Sequence, residues 1–76
     1  MPILDVNPEE LIVRDPKILG GKPVIRGTRI SVDFILRLIE NRWSIEDICR
    51  EYELREEQVV AAIKYARKVI EKQILG

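Results

Sequence analysis

The run Pro23-Val-Ile-Arg-Gly-Thr-Arg-Ile-Ser-Val-Asp-Phe-Ile-Leu-Arg-Leu-Ile39 contains the change of period that decides the fold. Before Gly27 the apolar residues come as one short pair, Val24-Ile25. They follow a proline that has no amide hydrogen and so belongs at the start or edge of a strand. After Ser31 they recur as Val32, Ile35, Leu36 and Ile39, the spacing of one helix face. Ser31 is a good N-cap, and Asp33 suits the positive end of the helix dipole in the first turn. Asn41 is the expected left-handed residue at the far end.

Toward the N-terminus the strand character continues. Leu11-Ile12-Val13 is a short apolar run ended by the turn signal Asp15-Pro16. Gly20-Gly21 permits positive φ and a tight reversal before Val24-Ile25. The product is a small antiparallel sheet of two or three strands. Alone it is marginal, so it must lie on helices or on a second copy of itself. Residues 1–10 read as an N-terminal arm.

Toward the C-terminus the pattern stays helical. Ser44-Ile-Glu-Asp47 starts a second helix, with Ser44 as cap and Asp47 reaching back from the third helical position. Trp43, just before the cap, is placed to staple against Ile48. A third helix starts near Arg55, and Val59, Ile63, Ala66 and Ile70 mark its apolar face. Core burial is the default use of that face, and packing on a partner helix is the alternative. Ile48, Cys49, Tyr52, Leu54, Val59 and Ala62 have helix-turn-helix spacing, although Glu53 stands where such turns usually have glycine. The expected fold is therefore mainly α. It is a three-helix helix-turn-helix domain, homeodomain-like or winged-helix-like, with a short N-terminal antiparallel β region. One domain spans 11–76, with strands and turns over 11–30 and helices over 31–42, 44–52 and 55–75.

Composition narrows the function classes. The 76 residues include 26 Ile, Leu and Val, enough aliphatic material for a core. There is no histidine, hence no Ser-His-Asp or Cys-His pair and no imidazole metal ligand. The single Cys49 cannot form an internal disulfide, and a lone cysteine is expected buried and inert. Ser31 and Ser44 are explained as caps, and the acids Asp5, Asp15, Asp33 and Asp47 fall in different elements. Gly20-Gly-Lys-Pro lacks the spacing of a phosphate loop. We therefore expect a binding protein and not an enzyme, with no catalytic residue, metal, cofactor or small-molecule substrate. No run is long and apolar enough to span a membrane. Met1-Pro-Ile-Leu-Asp5 lacks the basic start and apolar stretch of a secretory signal, so the cytoplasm is the expected compartment.

The net charge of zero is a sum of unlike blocks. Residues 1–12 are acidic, 13–39 basic, 40–57 acidic and 58–76 basic. Such blocks suit matched surfaces more than bulk attraction to nucleic acid. The candidate contacts to DNA or a protein partner are Lys22, Arg26, Thr28 and Arg29 in the strand region, with Arg55, Lys64, Arg67 and Lys68 on the last helix. Glu56 and Glu57 at the start of that helix repel phosphates and favour a protein partner over DNA.

Two separated motifs carry a resemblance. The run from Asp15 to Val32 is one, and Trp43-Ser-Ile-Glu-Asp-Ile48 with Tyr52 and Gln58-Val-Val-Ala-Ala-Ile-Lys-Tyr-Ala66 is the other. Together, over about residues 11–67, they resemble domain-of-unknown-function family 433, a family of small bacterial and archaeal proteins. Carried over by position, the signature residues are Gly21, Lys22, Pro23, Gly27, Thr28 and Arg29, with Trp43 and Ser44 in the second motif. The resemblance implies a homeodomain-like or winged helix-turn-helix fold. It implies an antitoxin that inhibits a PIN-like ribonuclease toxin encoded nearby. Regulation of transcription through operator DNA is the alternative, and a homodimer is expected in either case. Members often have glycine where this chain has Arg42, proline where it has Glu53, and a Ser or Thr cap where it has Arg55.

Overall fold

The computed structural model describes residues 6–75. Its elements are α1 (Pro8–Leu11), β1 (Ile12–Val13), β2 (Val24–Ile25), α2 (Val32–Glu40), α3 (Ile45–Tyr52) and α4 (Glu56–Leu75), with one 3-10 turn at Leu19–Gly21. This is the mainly helical domain with a short antiparallel ribbon that the sequence predicts. The first five residues of the expected arm lie outside the described part.

β1 and β2 pair antiparallel, Ile12 opposite Ile25 and Val13 opposite Val24. The third strand shrinks to a single bridge between Val24 and Ser31. The link from β1 to β2 turns on three consecutive left-handed residues: Leu19, Gly20 and Gly21 have φ of 49, 66 and 88°. The two glycines adopt this cheaply, and Leu19 is carried along with them.

Residues 8–11, read from sequence as the end of an arm and the start of a strand, instead form the helical turn α1. Asn7 caps it by accepting from the Glu9 amide at 3.0 Å, Pro8 occupies the first turn, and Glu9 and Glu10 suit the dipole. Pro8 is buried.

The helices are capped as expected at their starts. Ser31 Oγ accepts from the Phe34 amide at 2.9 Å, and Ser44 Oγ from the Asp47 amide at 3.0 Å. Their ends differ from expectation. Asn41 is not left-handed; its φ is −87°, and its side-chain amide donates to the Arg37 carbonyl. The left-handed residue is Arg42, at φ 71°. The Arg42 amide then donates to Ile39 and the Trp43 amide to Leu38, the hydrogen-bond pair of a Schellman motif. α3 also ends on a left-handed residue, Glu53 at φ 53°, but there the Glu53 and Leu54 amides both donate to the Cys49 carbonyl. α4 has no side-chain oxygen at its cap position; the Gln58 side chain reaches back to accept from the Arg55 amide at 2.7 Å.

α4 is the wall on which α1, α2, α3 and both strands rest. Val59, Ala61 and Ala62 are completely buried there, and the small alanines let neighbouring helices approach closely. Ile25, Ile35 and Ile48 are equally buried and fill the space between the ribbon and the helices. The α2–α3 corner is closed by rings: Phe34 meets Tyr52 edge-on at 5.3 Å, and Trp43 lies 6.1 Å from Tyr52. The apolar face predicted for the last helix is split. Val59 is core, whereas Ile70 is 56% exposed.

Candidate functional site

The basic signature residues lie on the hairpin that leads from β2 into α2. Its base is closed by the Ile25 amide donating to the Ile30 carbonyl at 2.9 Å and the Val32 amide to the Pro23 carbonyl at 2.9 Å. Gly27 makes the reversal at φ 80°. Thr28 then locks the tip. Its hydroxyl donates to the Ile25 carbonyl at 2.8 Å and accepts from the Ile30 amide at 3.0 Å. Thr28 is therefore a fastening within the turn, and the side chains left facing outward are Arg26 and Arg29, both exposed.

These two arginines differ. Arg26 is tethered: its amide donates to the Leu11 carbonyl at 2.8 Å, and its Nε to the Glu10 carbonyl at 2.9 Å. Arg29 has no hydrogen bond or ion pair to any described residue. Lys22 is exposed at the rim of a shallow cleft with Pro23, Asp33 and Leu36. Behind it Arg14 Nε donates to the Gly21 carbonyl at 3.2 Å, fixing the glycine turn to β1.

The candidates on α4 form a second group. Arg55 pairs with Glu57 at 3.3 Å, and Arg67 with Glu71 at 3.5 Å; Glu57 is half-buried and the other three are exposed. Lys64 is partly buried, and its Nζ donates to the Val6 carbonyl at 3.0 Å, so it anchors the N-terminal segment. Lys68 is exposed beside Pro8, Glu9, Tyr65 and Val69. α1 separates the two groups, since Arg26 reaches its Glu10 and Lys68 borders its Glu9. The eight residues singled out from sequence thus divide into an outward basic turn (Arg26, Arg29), internal fastenings (Thr28, Lys64), paired surface charges (Arg55, Arg67) and two exposed lysines at cleft rims (Lys22, Lys68).

α3 adds a capping group and a thiol. The Ser44 hydroxyl and amide, with Arg50 beside them, hold the Asp47 carboxyl below the usual aspartate range. Cys49 is half-buried, and burial, with Glu56 and Glu57 nearby, pushes its thiol up. Such a thiol is mostly protonated at neutral pH and a poor nucleophile. Among the described residues no helix is long and apolar enough to cross a membrane.

Sequence reasoning passed over α1 and its contact with Arg26. The signal was present in Asn7-Pro8-Glu9-Glu10, a cap, a first-turn proline and two first-turn acids.

The glycine turn, the locked hairpin, α2, the Trp43-Ser44 cap and α4 as far as Ala66 fall within residues 12–66, which match the family model described as Protein of unknown function (DUF433). The chain belongs to the DUF433 family. In DUF433 terms the matched region ends inside α4, so α1 and the last turns of that helix lie outside it. Gly21, Pro23, Gly27, Thr28, Trp43 and Ser44 have structural work within the DUF433 region of this chain: turns, a fastening and a cap. Lys22 and Arg29 are the two signature residues whose side chains engage no described partner. No curated protein and no solved structure matches this DUF433 chain.

Proposed function

We propose that this DUF433 protein is a cytoplasmic antitoxin that holds a PIN-like ribonuclease inactive, with the Arg26–Arg29 turn as its principal contact. The observation that carries this reading is the placement of the exposed Arg29 on a fastened turn. The two hydrogen bonds of the Thr28 hydroxyl and the tether of Arg26 restrain the backbone of the tip, so little backbone entropy is lost when the guanidinium is engaged. A PIN-like nuclease gathers carboxylates around Mg²⁺. A guanidinium placed among them pairs with carboxylate oxygens and takes over the electrostatic role of the metal. The start of α4 supports a protein partner over DNA, because Glu56 and Glu57 flank Arg55 and Glu57 pairs with it.

Co-expression with the product of the neighbouring open reading frame tests the reading. A stable complex and rescued growth are expected. Arg29→Ala should weaken the complex by about 2 kcal/mol or more, the usual cost of truncating one partner of a desolvated charge pair. Absence of a complex and of rescue with the wild-type chain overturns the proposal.

The same turn favours a second reading, regulation of transcription, because a basic two-stranded element can lie against DNA phosphates. Binding to upstream DNA would then weaken steeply with salt. Equal binding by Arg26→Ala/Arg29→Ala and wild type would defeat it.

A further inference from the structure

One stripe of α4 reaches the core only at the half-buried Ile63. Glu56, Val60, Ile63, Arg67 and Ile70 are spaced by four, three, four and three residues, which places them on one stripe. Glu56, Arg67 and Ile70 are exposed, and Val60 and Ile63 are half-buried. Val60 has no place among the residues packed against the core. Ile70 is 56% exposed, more than any other large apolar residue described.

The stripe is self-complementary. It carries an acid at one end, a base one turn short of the other, and branched aliphatics between. We propose that two copies of the chain pair antiparallel along this face of α4, about a two-fold axis. Val60 of each copy packs on Ile63 of the other, and Glu56 of each meets Arg67 of the other. That register carries Ile70 one turn past the start of the second copy's α4. There, Ile45, Glu46, Cys49, Arg50 and Glu56 line a cleft of about 400 Å³ with an apolar floor. Ile70 of each copy fills that cleft on the other. The interface is isologous, as two-fold symmetry requires, and every contact occurs twice. The exposed Arg67–Glu71 pair at 3.5 Å is weak enough to be exchanged for the intermolecular one. The basic turn takes no part, so this inference is independent of the function proposed above.

Sedimentation equilibrium of the purified chain tests it. The expected species has twice the 8.9 kDa chain mass. Ile70→Glu should weaken association at least about tenfold, or about 1.4 kcal/mol, with the helical circular dichroism retained. Glu56→Arg and Arg67→Glu should each weaken it, and the double exchange Glu56→Arg/Arg67→Glu should restore it, which loss of folding in either single variant would not do. A chain that stays monomeric at the highest soluble concentration overturns the proposal and leaves the face to a different protein. So does a dimer indifferent to Ile70→Glu, or a double exchange that fails to restore pairing.

Discussion

The Thr28 hydroxyl lies 2.8 Å from the Ile25 carbonyl, and this hydrogen bond joins the Thr28 amide's bond to the same carbonyl in closing the turn that carries Arg26 and Arg29. The same oxygen accepts from Ile30, so one side chain satisfies two backbone groups. Thr28→Val keeps the shape and removes both bonds. It should destabilise the fold by about 1–3 kcal/mol in urea unfolding, the cost of leaving the Ile30 amide unpaired, since the Ile25 carbonyl keeps the Thr28 amide at 3.0 Å. Thr28→Ser should be close to neutral. Equal losses from both variants would refute the fastening role.

α2 and α3 both end on a left-handed residue that is not glycine, Arg42 and Glu53. An L side chain in that conformation costs about 1–2 kcal/mol. Arg42→Gly and Glu53→Gly should therefore each stabilise the domain, by about 0.5–1 kcal/mol once the greater freedom of the unfolded chain is deducted. The two sites share no hydrogen bond, so the gains should add. Differential scanning calorimetry of the two singles and the double reads this directly.

Arg55 occupies the cap position of α4 without a capping oxygen, and only Gln58 completes half of a capping box. Arg55→Ser supplies the missing acceptor and gives up an exposed ion pair of little worth. A gain of about 1 kcal/mol is expected. A lower melting temperature in Arg55→Ser would show that its pairing with Glu57 matters more than the cap.

Asp47 has its carboxyl held below its ordinary range, first by the Ser44 hydroxyl and then by the Ser44 amide. A carboxyl depressed in the folded state contributes stability that is complete above its unfolded pKa and lost as pH falls through the folded one. Asp47→Asn should thus lower the melting temperature at pH 7, and the difference should shrink on acidification below the ordinary aspartate range. A difference independent of pH would point to shape and not charge.

The elements whose residues follow local rules were legible in the sequence. Ser31 and Ser44 cap the helices they mark, Gly27 turns the hairpin, and the Val24-Ile25 pair forms the strand it suggests. Helix ends were less legible, because glycine is the usual sign and here Arg42 and Glu53 take its place. The sign that remained pointed one residue early, to Asn41. α1 was missed because its four residues carry no period, only a cap signature. The basic turn was visible as charge. Its division into a fastening, a tether and a guanidinium without a described partner was not, because that depends on carbonyls brought from Glu10, Leu11 and Ile25 by the fold.

The placement of α4 has a consequence for how the chain is made. Every other element rests on α4, and α4 follows them all in the sequence. At a synthesis rate of about 5–20 residues per second, the ribbon, α2 and α3 emerge seconds before the surface they require. Their contacts with one another are few beside those with α4, so the domain is expected to consolidate only when that helix emerges.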